Sequence, residues 1–418
     1  MNNLSNKKAT KVLSEKCPII LRSQKGVTLV FVSVMLFCLL GFAALAIDIG
    51  YFMVVRNEVQ NIADGASLAA CGELGAIYQG LAPDDQRLYE FSEEDQSSIR
   101  AKAIDVGQNN AAGGLQGIEI RSEDIILGTW NPNDNPPFTP TTSQPDAVRV
   151  IVRRDENINN PIGTYFARIL GINTIYVRMD AIAALTGQST TIPGELELPV
   201  GISSYFFQDG NYCNESIVFS PTNDPSSCAG WNSYDLSPPN DNEIRSILDS
   251  EVVSPGTVVY DSIFNFIGGD LSNPTFEALL LLFMREGYDI DESGNPIRTY
   301  TNDEGNQVPV TGHLGDDGVP MYYDDGTRAY YPDDNQNPTP RNLHRWETSV
   351  VVYEWTDCSN PNTSIPIVGY TRVIITDVED APVKRIVGIV MCDQFSNFQT
   401  RGSGGDYGIK GTIPGLVE

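Results

Sequence analysis

Asp289, Asp291, Ser293 and Asn295 alternate along the chain, with Gly294 between the last two. This is the 1-3-5-7 spacing, with glycine sixth, by which an EF-hand-like loop arranges oxygen ligands around Ca²⁺. Position twelve is Tyr300, so the bidentate carboxylate that completes such a loop is missing. The same stretch, residues 288–335, repeats Asp-Gly and Gly-Asn turn signals at 294–295, 305–306, 317–318 and 325–326. Such dipeptides supply the positive φ of tight turns, so successive hairpins are the competing reading. Ca²⁺ is the one cofactor the sequence suggests. Catalytic residues are not evident. The two histidines, His313 and His344, lie in this acidic region and are expected to face solvent. No nucleophile elbow, zinc-helix or phosphate-loop motif occurs. Asp270-Leu271-Ser272 opens a D-x-S metal motif that is not completed. No enzyme is expected, and no small-molecule substrate is evident.

Seven cysteines bear on compartment and stapling. Cys17 and Cys38 fall before or within an apolar run, and Cys71 follows it. Cys213, Cys228, Cys358 and Cys392 lie well beyond, where an oxidising compartment would favour disulfides. Four cysteines allow three pairings. Proximity in sequence favours Cys213–Cys228 and Cys358–Cys392, with four free thiols as the alternative.

The element that must position everything else is Val27 to Ile47, 21 residues without a charge. At ~1.5 Å per residue a helix of this length covers the ~30 Å hydrocarbon core of a bilayer. Charge divides on either side of it. Residues 1–25 hold six basic residues against Glu15, on a chain with 27 basic and 54 acidic residues. The positive-inside rule keeps that basic tail, residues 1–26, in the cytoplasm and sends the acidic body across. A net charge of −27 argues against nucleic acid as a partner. Ala44-Leu45-Ala46 resembles a signal-peptidase site, so a cleaved signal peptide is the alternative, although its apolar region is usually ~7–15 residues.

The helix is expected to continue to about Cys71. Phe52, Val55, Val59, Ile62, Ala66 and Ala69 follow a heptad stripe, with Asp48, Arg56, Glu58 and Asp64 off it. The stripe could pack on this chain's own globular part or dock on a partner's helix. Ala63, Ala66, Ala69 and Ala70 permit close approach in either case.

These residues resemble a known family. Gln24-Lys25-Gly26, the apolar run, Ala46-Ile47-Asp48-Ile49-Gly50-Tyr51 and the segment Asn57 to Ala70 look like the N-terminal signature of TadE/TadG-like proteins. Those proteins belong to the bacterial Flp (tight adherence, Tad) pilus-assembly machinery. Gly128-Thr129-Trp130-Asn131, Ala147 to Arg154 and Tyr165 to Gly171 extend the resemblance to about residue 187. Pilins cut by prepilin peptidase carry Glu five residues after the processed glycine. Here the fifth residue after Gly26 is Phe31. A buried Glu would be costly without a partner, and its absence points away from a shaft subunit and toward the TadG-like branch. The resemblance implies a membrane-anchored, non-catalytic component of Tad/Flp pilus assembly, anchoring or linking the apparatus to the envelope. It also implies partners among other Tad/Flp proteins, and a single-pass protein of the bacterial inner membrane with a periplasmic body. The alternative is a surface or pilus-tip adhesin, or a Ca²⁺-dependent binding module.

The rest of the chain reads as α+β. A helix is expected over Ser97–Asn110, with strands at Ile118–Ile120, Ile125–Trp130, Ala147–Val152 and Thr174–Leu185. Pro161–Leu170 reads as a helix opened by proline and closed by Gly171. With the long helix these form a small pilin-like α+β unit over 48–187. Residues 186–195 read as a connector. A mainly β domain with two short helices, near Asn242–Ser250 and Thr275–Glu286, is expected over 196–400. Its clearest strands are Ser349–Trp355, Ile365–Thr376 and Val383–Cys392. The Gly-rich tail 401–418 is expected to be flexible.

Overall fold

The computed structural model describes residues 25–417 apart from 82, 87–88, 209, 211, 220–227, 269–270, 291–292, 294–298, 302–306, 310–343, 360 and 380. Its first element is α1 (Lys25–Gln79), one helix of 55 residues. At ~1.5 Å per residue it is roughly 80 Å long. Its N-terminal part stands clear of the rest of the molecule, and its C-terminal part is the core of the first unit.

That unit closes around α1 from two sides. On one side lies α2 (Glu93–Gln108). It begins four residues earlier than its apolar pattern suggests, because Ser92 caps it. Ser92 Oγ accepts from Asp95 N (3.2 Å), and Asp95 Oδ2 accepts from Ser92 N (2.9 Å). This reciprocal capping box satisfies two helix-end donors. On the other side lies an antiparallel sheet of β1 (Ile125–Trp130), β2 (Phe138–Pro140), β3 (Ala147–Arg154) and β4 (Val177–Ala184), in the order β4-β3-β1-β2. Val148, Val150 and Val152 of β3 alternate onto the face that meets Val59, Ile62 and Ala66, while Ile99 and Ala103 approach from α2. Ile118 and Ile120 are buried here but form no strand.

The stripe on α1 is therefore spent inside this chain. Val55, Val59, Ile62 and Ala66 are buried, Phe52 and Ala69 only partly so. Ala70 and Leu74 are buried in place of a strict heptad's continuation. A straight helix turns every 3.6 residues, so a 3.5-residue stripe drifts off its face by ~20° per heptad. In this structure the buried part of the stripe packs on the chain's own body.

The second unit is an eight-stranded sheet. Its strands are β5 (Val200–Ser203), β6 (Ser216–Phe219), β7 (Ala229–Asn232), β8 (Ile263–Ile267), β9 (Tyr288–Asp289), β10 (His344–Tyr353), β11 (Ser364–Glu379) and β12 (Arg385–Met391). The order is β6-β12-β11-β8-β7-β5-β10-β9, and β11 also pairs with β10. All pairings are antiparallel except β5 with β10. One face meets α3 (Asp241–Leu248) and α4 (Asn273–Glu286) through Trp346, Val350 and Val352. The other carries Val351, Tyr353, Tyr370 and Phe266. Burial on both faces explains the near-continuous apolar run of β10.

Five expectations are corrected here. His344, expected in solvent, is fully buried at the start of β10, with its ring edge-on to Phe283 and Nε2 3.0 Å from Phe283 O. The cysteines pair as Cys213–Cys392 and Cys228–Cys358, across 179 and 130 residues, not with sequence neighbours. Topology decides this: Cys213 precedes β6, whose Ser216 faces Ile389 of β12, three residues before Cys392. Cys228 precedes β7, which pairs with β5, and β5 runs parallel to β10, five residues before Cys358.

The tail, expected to be flexible, is packed into the fold. Gly415–Leu416 adds a strand to the edge of β4, and Phe395 just ahead of the tail stacks on Tyr78 with ring centroids 3.8 Å apart. Its glycines mark close approach. A Cβ on Gly404 would stand 2.2 Å from Gln188 O, where Gly404 N donates to Gly187 O (2.7 Å). The connector 186–195 is likewise built in, with Gln188, Thr191 and Glu195 buried. Finally, Pro161–Leu170 is not a helix but a two-residue strand at Ile162–Gly163 and a 3₁₀ turn at Ala167–Leu170.

Candidate membrane anchor

From Leu29 to Phe42 the side chains of α1 are bare, with Phe31, Phe37 and Phe42 about 70–79% exposed. Soluble monomers rarely expose apolar patches of this size, which mark contact with a membrane or with another protein. Among the described residues α1 is the one helix long and apolar enough to cross a membrane.

Where the bare stretch ends, Asp48 is buried. Its carboxylate accepts three backbone N–H groups from a distant loop: Tyr165 on Oδ1 (2.7 Å), and Phe166 (2.9 Å) and Ala167 (2.5 Å) on Oδ2. Burial alone would raise its pKa. The three donors and the nearby charge of Arg168 outweigh that and hold it below the ordinary carboxylate value. One acid thus fastens the root of the helix to the 3₁₀ turn. It also explains why Pro161–Leu170 does not continue as a helix: the N–H groups of 165–167 are committed to Asp48.

Further fastenings follow along α1. Tyr51 Oη donates to Gly113 O (3.1 Å), and Glu58 Oε2 accepts Gly113 N (2.7 Å). Arg154 at the end of β3 donates Nη1 to Ala112 O (2.7 Å). Gly113, at φ +55°, takes a conformation that suits glycine, and a Cβ there would meet Arg154 Nη1 at 2.4 Å. Farther up, Tyr78 Oη donates to Pro145 O (3.0 Å). Cys71 is a free, fully buried thiol; burial, then the charge of Asp146, push it well up.

Of the residues marked from sequence, Val55, Val59, Ile62 and Ala66 come together in one core. The Ca²⁺ candidates do not yield a site that can be described. Asp291 and Asn295, like His313, lie outside the described residues; Asp289 contributes backbone pairing in β9, opposite His344, and Ser293 is exposed. Among the described residues, no group of three or more His, Cys, Asp or Glu is placed to hold a metal. Asp48, Glu58 and Arg154 were not recognised from sequence. The available signal was a lone acid directly at the end of an apolar span.

A helix of bilayer-spanning length, bare at one end and forming the core of an α+β unit at the other, defines a head carried on a long apolar helix. Comparison with protein families narrows the class. Residues 26–75 match the family model described as Flp pilus-assembly TadE/G-like, and residues 86–183 match one described as Tad-like Flp pilus-assembly. Over these segments the chain is TadE/TadG-like, similar to proteins of Flp pilus assembly. The matches cover α1 and the sheet it packs on, and do not separate a TadG-like branch. No curated protein and no solved structure matches the chain.

Proposed function

We propose that this protein is a single-pass, non-catalytic component of Flp/Tad pilus assembly. It sits in the inner membrane with its basic N-terminus in the cytoplasm and its body in the periplasm. There it anchors or links the apparatus to the envelope. The observation that carries this reading is the continuity of α1: the same rigid helix that offers a bare span is the core of the head. A load on the head is thereby transmitted into the membrane without a flexible hinge. Phe31 in place of a pilin-type Glu supports assignment to the TadG-like branch rather than to a shaft subunit. The two disulfides of the second unit support an oxidising compartment. The test is replacement of the gene by a version lacking residues 27–47 but fitted with a cleavable export signal. Loss of surface pili, with the head still folded in the periplasm, supports anchoring. Normal piliation by the freed head contradicts it.

A further inference from the structure

We infer that the turn at residues 165–172 is a second, monotopic contact with the bilayer, seated in the periplasmic leaflet beside the span. The inference rests on the reading that Val27–Ile47 crosses a membrane. Ile169 and Leu170 are 79% and 78% exposed, and Tyr165, Phe166, Ile172 and Tyr176 around them are also exposed. Their position is fixed, since Asp48, one residue past the span, holds the N–H groups of 165–167. The turn and α1 enclose an apolar groove of about 560 Å³, lined by Phe166, Ile169 and Leu170 on one side and by helix residues from Phe37 to Ile47 on the other. Ten residues of helix rise about 15 Å, half the ~30 Å hydrocarbon core. The groove thus lies at the depth of one leaflet, and whatever surrounds Phe42 and Leu45 also reaches the turn.

The backbone is fitted for that environment. Lipid offers no hydrogen bonds, so polar backbone groups there must be satisfied internally. Besides the three N–H groups on Asp48, Thr164 N donates to Asn173 O (3.1 Å), Ile169 N to Phe166 O (2.9 Å), Gly171 N to Arg168 O (3.1 Å) and Ile172 N to Ala167 O (3.1 Å). Gly171 closes the turn at φ +88°, the left-handed region glycine favours. Tyr165 and Tyr176 flank the apolar tip with exposed Arg168, a composition suited to the headgroup boundary. Two contacts, a span and a wedge, fix the rotation of the head about the helix axis, which a lone span leaves free.

Nitroxide labels test this in full-length protein, reconstituted in vesicles of phosphatidylethanolamine and phosphatidylglycerol. Cys17, Cys38 and Cys71 are replaced by Ala, and Ile169→Cys, Leu170→Cys, Phe42→Cys and Glu119→Cys are labelled one at a time. Collision with oxygen reports lipid, and collision with a water-soluble nickel chelate reports solvent. The expected result is an oxygen-to-nickel ratio at 169 and 170 several-fold above that at 119 and comparable to that at 42. A ratio at 169 and 170 equal to that at 119, with 42 still in lipid, overturns the wedge and leaves the span. Solvent exposure at 42 overturns the span itself and the wedge with it. Protection of 169 and 170 from both reagents overturns the lipid contact in favour of a covering protein. Because both positions are exposed, the labelled chains keep their fold, checked by the protease resistance of the first unit.

Discussion

Replacing Ile62 by Asp separates a stripe used for the chain's own core from one used to dock a partner. Ile62 is 3% exposed, at the level of α1 where β3 and α2 both close on it. Truncating a buried Ile to Ala costs about 2–5 kcal/mol. A carboxylate in the same place adds several kcal/mol of desolvation, because the side chains that meet Ile62 there are apolar. The sum is comparable to the ~5–15 kcal/mol that holds a domain together. Ile62→Asp should therefore unfold the first unit, while Ile62→Val should cost only about 0.5–1.5 kcal/mol and the exposed Asn61→Asp about 0.5 kcal/mol or less. The assay is limited proteolysis of membrane-inserted protein with time, alongside thermal unfolding. Insertion should be unaffected, since the change lies 15 residues past the span. The reasoning is refuted if Ile62→Asp keeps wild-type protease resistance yet fails to assemble pili, because the stripe would then face a partner.

Non-reducing peptide mapping should recover Cys213 linked to Cys392 and Cys228 linked to Cys358, and any link between Cys213 and Cys228 counts against the sheet order. In the chain-entropy model loops this long are worth about 5 kcal/mol each, so reduction should lower the unfolding temperature of the second unit sharply. Asp48, held below its ordinary pKa, keeps the 165–167 turn fastened at every pH above that ordinary value. The fastening is lost only as pH falls through the lower folded-state value, so a label at 169 should gain mobility in acid but not between pH ~5 and ~8, whereas Asp48→Ala should be mobile throughout. Gly75→Ala would place a Cβ 2.2 Å from Thr412 O. The clash should cost about 1–3 kcal/mol against about 1 kcal/mol of gained helix propensity. A net loss with early cleavage of the C-terminal strand is expected, and a net gain in stability contradicts the packing of the tail on α1.

What the sequence makes legible is what local pattern controls. The span declares itself by hydropathy and length, the stripe by its spacing, and β3 and β11 by alternation or apolar runs. What it hides depends on partners far away in the chain. Cys213 cannot reveal that β6 lies beside β12 until the sheet is built. Gly404 and Gly411 read as freedom in a linear scan, but in the fold they are places where no Cβ fits. His344 sits in an acidic stretch of sequence, yet its strand register turns it under α4. Asp48 looks like the polar end of a span, and its role appears only when residues 165–167 arrive more than 100 positions later.

The most direct test of the anchored helix is the state of the chain in its own cell envelope. Membranes are washed with alkaline carbonate, the protein is extracted with detergent, and its intact mass and N-terminal sequence are determined. A carbonate-resistant polypeptide that retains residues 27–47 is the predicted result. A water-soluble periplasmic polypeptide starting near Ile47 would contradict the anchor, and with it the continuity from bilayer to head.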